Sequence, residues 1–259
     1  MSFSEEQLSL WLAGFIWPFI RIGAMVTAAP IFNSRQTPVT FRLGLVLALT
    51  WITMPILPPP PVVSVFSHQS FMLLLQQLAI GLIMGFILQM VFGGLIFGGQ
   101  VVAYSMGLGF ASMMDPQNGV QVPVVSQFYL ILATLLFLVL NGHLVLLDLL
   151  FQSFYTFPVA MDGITRSNLS DVVAWGSRLF SAGLLMALPV MAALLLVNLG
   201  MGVVTRAAPQ LNIFAVGFPI TMLIGFVLIW ASLSNVMDNF EDFLDAGFAM
   251  IKGILLITG

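Results

Sequence analysis

Few residues in this chain can do chemistry, because no Asp, Glu, Lys or Arg stands between Leu43 and Met114. The ionisable residues that fall inside apolar stretches are Arg21, His143 and Asp148. Such a side chain is costly within an apolar span and marks a functional or assembly role. Arg21 and Asp148 lie deepest by position. They can pair with each other, or each can meet backbone carbonyls or a partner subunit; the residues leave both readings open. His143 and Asp148 stand five apart, which does not set them on one helix face, so His143 reads as an interhelical hydrogen-bonding group. Asn141, Asn198 and Arg206 are further polar groups in or beside apolar runs, where they suit buried or assembly contacts.

No enzyme constellation emerges. Gly107-Leu-Gly109-Phe-Ala-Ser112 approaches G-x-G-x-x-G, but it ends in serine and follows no strand, so it is not a nucleotide loop. G-x-S-x-G, H-E-x-x-H and G-K-[ST] are all absent from the sequence. Absence of cysteine excludes disulfides and thiolate metal sites. The chain is therefore read as having no catalytic activity, no metal and no cofactor. With a net charge of −3 and a single lysine, Lys252, it offers no basic surface for nucleic acid.

The elements that must position these groups are apolar helices. Hydrophobic residues make up 60% of the chain and charged residues 7%, against about 25% charged in a soluble domain. The apolar runs are long and do not alternate, which favours helices over a membrane barrel. The amino terminus, Met1-Ser-Phe-Ser-Glu-Glu-Gln7, lacks a basic segment, and Arg21 interrupts the apolar core before the weak Val26-Thr-Ala-Ala29 cleavage pattern. The first span is read as retained.

In order, apolar spans are expected over 8–29, 40–57, 71–102 or beyond, 124–151, 179–204 and 211–233, with a tail over 237–259 that forms a further helix. This is an all-α protein of about six to seven apolar helices. Several helices are expected to be kinked: Pro18 should kink the first span, the fifth and sixth contain Pro189 and Pro219, and Pro58-Pro-Pro-Pro61 forms a stiff linker. The third span exceeds the roughly 20 residues that cross a bilayer, so it must tilt, break or leave the lipid. Its Gly81-xxx-Gly85 and Gly94-xxx-Gly98 spacings allow close helix approach. The segment 158–175 is more polar. Arg35, Arg42 and Arg206 put the amino terminus outside by the positive-inside rule, but Arg166 and Arg178 oppose them, so orientation is not set.

One stretch breaks the apolar run. Met106, Gly107, Leu108, Gly109, Phe110, Ala111, Ser112, Met113, Met114, Asp115 and Pro116 form an irregular, Met-rich loop, and Asn118-Gly119 adds a turn signal. Irregular backbone at membrane depth is tolerated only where protein buries it or it lines a cavity. The loop is therefore either a pore element or an ordinary turn between two spans.

Several segments resemble the family of the flagellar biosynthetic protein FliR, the R subunit of the flagellar type III export gate (T subunit in injectisomes). They are Ala29-Pro-Ile-Phe32, Met106-Gly-Leu-Gly-Phe-Ala111 with Asp115-Pro116, Leu135-Leu-Phe-Leu138 with Asn141-Gly-His-Leu144, Ala187-Leu-Pro189, Asn198-Leu-Gly200, and Arg206-Ala-Ala-Pro-Gln-Leu211 with Gly217-Phe-Pro219. The matches run in order along nearly the whole chain.

The resemblance implies one all-helical subunit in a helical assembly with P- and Q-type export-gate subunits and the B-type switch subunit. The assembly would sit at the bacterial inner membrane within the flagellar basal body and conduct unfolded export substrates. A single domain is implied over 1–259, with a P-subunit-like part over 1–151 that carries the plug loop 106–119, and a Q-subunit-like part over 152–259. The implied function is a structural and gating subunit of the export gate. The alternatives are an injectisome gate subunit and a small-solute secondary transporter, which would show internal repeats that this sequence lacks.

Overall fold

The structure, a computed structural model, describes residues 5–33, 37–61, 63, 67–109, 124–160, 163–208 and 217–257. Its helices are α1 (Glu5–Ala28), α2 (Val39–Thr53), α3 (His68–Ser105), α4 (Val124–Val139), α5 (Gly142–Thr156), α6 (Arg166–Trp175), α7 (Ser177–Ala207) and α8 (Phe218–Ile254). Among the described residues there is no strand. The all-α expectation therefore holds. Four helices are long and apolar enough to cross a membrane, or five if α4 and α5 count as one bent span. Apolar runs become helices here because a helix satisfies every interior backbone group without help from solvent.

Helix α3, at 38 residues, extends ~57 Å at 1.5 Å per residue, nearly twice the ~30 Å hydrocarbon core of a bilayer. Its most apolar window is 67% buried, against 28% and 22% for the windows around α7 and α8. Its window is the most buried of the four candidate spans.

Three expected spans take a different form. The fourth is not one helix: α4 and α5 meet at 64°. Asn141, at φ 57°, adopts the left-handed conformation that ends one helix and starts the next. Gly142 follows because a Cβ there would lie 2.5 Å from the Phe137 ring. The sixth span and the tail instead fuse into α8, 37 residues long. No Gly or Pro stands between Leu233 and Met237, and the buried stripe Ile229, Val236, Phe240, Leu244, Ile251 runs straight through at helical spacing. The second span stops at Thr53, ahead of the proline linker. Within the polar segment, α6 starts on a reciprocal cap. The Asn168 N–H donates to Thr165 Oγ1 at 3.3 Å, and the Thr165 N–H donates to Asn168 Oδ1 at 3.0 Å.

The chain divides into two compact units, Met1–Met90 with Phe137–Trp175 and Asp245–Gly259, and Val91–Leu136 with Gly176–Leu244. In the first, α1 packs on the opening part of α3 through small residues on both helices. A Cβ on Gly81 would lie 2.7 Å from Ala24 Cβ, and one on Gly85 2.5 Å from Ala28 Cβ. In the second, the later part of α3 packs on α7 in the same way: a Cβ on Gly98 would lie 2.7 Å from Gly183 O. Both glycine spacings singled out in the sequence mark such seams.

Candidate functional site

The α1–α3 seam brings a charged group into the first unit. Gln77 stands four residues before Gly81, on the same face of α3, and Arg21 stands three before Ala24 on α1. Arg21 is completely buried. Its Nε donates to Gln77 Oε1 at 2.8 Å, one terminal nitrogen to Ser153 O at 2.7 Å and Ser153 Oγ at 3.1 Å, and the other to Phe157 O at 2.8 Å. The guanidinium carbon lies 4.2 Å over the centre of the Phe154 ring. Ser153 and Phe157 close the C-terminal turn of α5, whose carbonyls carry the negative end of its dipole; Ser153 O also accepts the Phe157 N–H at 3.0 Å. Arg21 therefore caps α5 from another helix.

Of the two arrangements open from sequence, Arg21 takes backbone carbonyls and does not pair with Asp148. Asp148 is exposed, and its Oδ2 accepts from Gln152 Nε2 at 2.7 Å. Of the six groups expected in buried or assembly contacts, Arg21 is buried within the chain, Asn141, Asp148, Asn198 and Arg206 are exposed and His143 is half-buried. Asp148 and Asn198 stand off the face that their helices turn inward, Asn141 lies at the break between α4 and α5, and Arg206 lies in the last turn of α7. Among the described residues, His143 Nδ1 is a buried atom without a partner, and so is Gln77 Nε2. Gln77, Ser153, Phe154 and Phe157 were missed as members of the Arg21 node. The Gln76-Gln77 pair was the available signal, two adjacent amides in an apolar run. Gln76 serves the same region, its Oε1 accepting from the Ile164 N–H at 2.9 Å and so holding the segment after α5.

The second unit contains the foot of the irregular loop. Leu108 N donates to Ala103 O at 3.0 Å and Gly107 N to Tyr104 O at 3.0 Å. With Gly107 at φ 82°, these two bonds make a Schellman stop, in which glycine supplies the left-handed residue. Met106 is fully buried against α8, close enough that a Cβ on Gly225 would lie 2.7 Å from two of its side-chain carbons. Asn198 Nδ2 on α7 donates to Ser105 O at 3.2 Å, and Thr221 Oγ1 on α8 donates to Asn198 Oδ1 at 3.3 Å. Three helices thus converge where α3 ends, and Asn198 is brought to the loop as the tie. Met106, Gly107, Leu108 and Gly109 are described; Phe110 to Pro116 lie outside the described residues. Arg206 sits in the last turn of α7, where a cation complements the helix dipole.

An apolar crevice of about 220 Å³ lies between α1, the end of α2, the proline linker and Phe154. Its lining of Leu, Trp, Met, Pro, Phe and Val side chains offers no acid, base or nucleophile. What these groups can do is hold helices, stop them and tie them together.

A membrane-class helical chain with these seams falls into a defined class: residues 12–247 match the family of bacterial export proteins, family 1, and the chain belongs to that family. Its similarity to named relatives extends almost from end to end. It is 36% identical to the flagellar biosynthetic protein FliR of Pectobacterium carotovorum subsp. carotovorum over 255 residues, 98% of this chain and 97% of that protein. Against FliR of Escherichia coli (strain K12) it is 36% identical over 252 residues, 97% of this chain and 96% of the relative. FliR of Bacillus subtilis (strain 168) is 29% identical over 248 residues, covering 95% of each chain. The FliR resemblance read from the motifs is borne out.

Proposed function

We propose that this chain is a structural and gating subunit of the flagellar type III export gate, forming part of the pore through which unfolded flagellar proteins leave the cell. The observation that carries the reading is similarity to FliR proteins along 98% of the chain. The same proposal places the protein in the bacterial inner membrane at the flagellar basal body. Its partners there are P- and Q-type gate subunits, which the parts 1–151 and 152–259 resemble, and the B-type switch subunit. Its role is to pack, seal and open; no bond is made or broken on it.

The plug of this gate is the segment 106–119. Three features support that. Gly107 stops α3 sharply, so the chain leaves the helix at a fixed point. The Met106 side chain and the Asn198–Ser105 bond hold that point against α8 and α7. Beyond it the sequence is apolar and rich in glycine and methionine, which can exclude water from a narrow passage and still rearrange.

The test is complementation. In a motile bacterium deleted for its own FliR, this chain should restore secretion of hook and filament protein into the medium, and with it swimming. Full-length chain that accumulates in the membrane without restoring either would overturn the reading. Rescue of injectisome secretion with no rescue of flagellar export would move it to the injectisome branch.

A further inference from the structure

Ser105, the last residue of α3, gives its carbonyl oxygen to a side chain from another helix, Asn198 Nδ2 of α7, at 3.2 Å. The same amide accepts from a third helix, since Thr221 Oγ1 of α8 donates to Asn198 Oδ1 at 3.3 Å. That is an unusual use of a threonine in this chain. Thr27, Thr50, Thr53 and Thr134 each donate to a carbonyl four residues back in their own helix. Thr221, buried in the first turn of α8, donates instead across to α7. One amide therefore joins the end of α3 to the start of α8.

The character of this joint differs from that of the Arg21 node. Arg21 is fully buried, and a charged donor makes bonds of 2.7–3.1 Å there. Asn198 is exposed, and its two bonds are neutral and at the long end of the usual range. The first arrangement holds permanently; the second can let go. Its position gives that a consequence. Met106, next in the chain after Ser105, packs on Gly225 of α8 by apolar contact, which is adaptable and without direction. The directional tie at the point where the chain leaves α3 is the amide, and Gly107 turns the chain out of the helix two residues later.

We propose that Asn198 is a positioning residue of the gate. Its amide latches the end of α3 to the first turn of α8, and release of the latch frees the start of the plug segment while the helices stay folded. This rests on the export-gate reading, with the plug at 106–119. A neutral hydrogen bond shifts an equilibrium by about two- to tenfold, so the latch biases the closed state without locking it.

The experiment uses the full chain in cells that lack their own FliR and make the rest of the export complex. The reporter is Phe110→Cys in the otherwise cysteine-free chain, labelled at rest with a water-soluble maleimide. Resting membrane potential and recovery of the complex are measured beside it. Asn198→Leu removes both bonds, and should label about fivefold faster and lower the potential while the complex is still recovered. Asn198→Asp keeps the acceptor for Thr221 but removes the donor to Ser105 O, and should label about threefold faster. Thr221→Val keeps the shape and removes the hydroxyl, for an effect of about twofold. Adding Thr221→Val to Asn198→Leu should change nothing further, because both break the same bond. Gly200→Ala, in the same helix with open space at its Cβ, should label like the parent.

Parental labelling in Asn198→Leu and Asn198→Asp, with the complex recovered, would overturn the proposal. Loss of the complex in all three variants, the isosteric Thr221→Val included, would do the same, since it marks a joint needed for folding alone. Additive effects of Asn198→Leu and Thr221→Val would show two independent contacts and no latch. Equally fast labelling in Gly200→Ala would reduce the effect to a general loosening of α7. The parent chain separates the two readings. If its Phe110→Cys reacts equally with and without a stalled substrate, the plug reading falls and the latch with it. If the parent behaves as a plugged gate and Asn198→Leu matches it, the latch alone falls.

Discussion

Arg21 is buried without a carboxylate, and its neighbours explain how. The guanidinium gives its hydrogen bonds to Gln77, Ser153 and Phe157 and lays its face on Phe154, so dipoles and a ring replace a counter-ion. Removing it takes a hydrogen bond from the Phe157 carbonyl and from the Gln77 amide oxygen, and one of two from the Ser153 carbonyl. Arg21→Leu should therefore destabilise the chain by about 1.5–3 kcal/mol, the range for hydrogen bonds to a charged group. Recovery of assembled complex should fall accordingly. Arg21→Lys should be intermediate, because an ammonium keeps the charge but lacks the planar fork that reaches all three acceptors. Swimming and complex recovery at parental levels in Arg21→Leu would show that the clamp is dispensable. Gln77→Glu is the opposite test. It supplies Arg21 with a carboxylate and removes the amide nitrogen that has no partner among the described residues, so thermal stability of the solubilised complex should be kept or raised. A loss as large as that of Arg21→Leu would mean that the Gln77 amide nitrogen donates to a neighbouring subunit.

Helices meet through glycine and alanine, and the glycines are not equivalent. A Cβ on Gly85 would lie 2.5 Å from Ala28 Cβ and 2.8 Å from Ala29 N, where no flexible side chain can yield. Gly85→Ala must push α1 from α3 and should cost about 1–3 kcal/mol, the usual penalty for overpacking. Gly200 on α7 has nothing within 4 Å of a built Cβ, and Gly200→Ala should gain about 0.5–1 kcal/mol from helix propensity. The two shifts of thermal midpoint should have opposite signs. A drop for Gly200→Ala would reveal that a neighbour covers that turn of α7. Prolines follow a related logic. Pro18 and Pro189 lie inside continuous helices, whereas Asn141-Gly142 ends one. Proline removes one donor and can be accommodated by packing, but a left-handed residue redirects the chain.

At the scale of the whole molecule, the outward surface shows that neighbours or lipid must cover it. Trp51, Val139 and Trp230 are each at least 74% exposed, and apolar side chains so numerous on the outside belong to a protein that does not face water alone. The gate proposal adds a specific behaviour. Deleting 108–112, which keeps the Gly107 stop, should leave assembly intact and make the membrane leak ions, measured as collapse of the membrane potential. In the same spirit, Phe110→Cys in this cysteine-free chain should resist a water-soluble maleimide at rest and react when a substrate is stalled in the channel. An ion-tight deletion together with equal labelling in both states would reduce the loop to a turn.

Composition by itself determined the class of this protein. With 7% charged residues and long unbroken apolar runs, helices are favoured to satisfy the backbone, and the small-xxx-small spacings named two of the seams that the fold uses. Motifs spread along the chain were enough to reach the family. Legibility ended wherever an outcome depended on which elements meet. The partners of Arg21 lie 56, 132 and 136 residues away in sequence, and no local pattern says that the end of α5 will arrive beside α1. The fusion of the sixth span with the tail was likewise set by one buried stripe along α8, a property of packing. Which of the polar residues are buried within the chain was not legible for the same reason. Sequence tells that a polar group stands in an apolar run, but helix phase against a particular neighbour decides whether it points into the chain, as Arg21 does, or out of it, as Asp148 does.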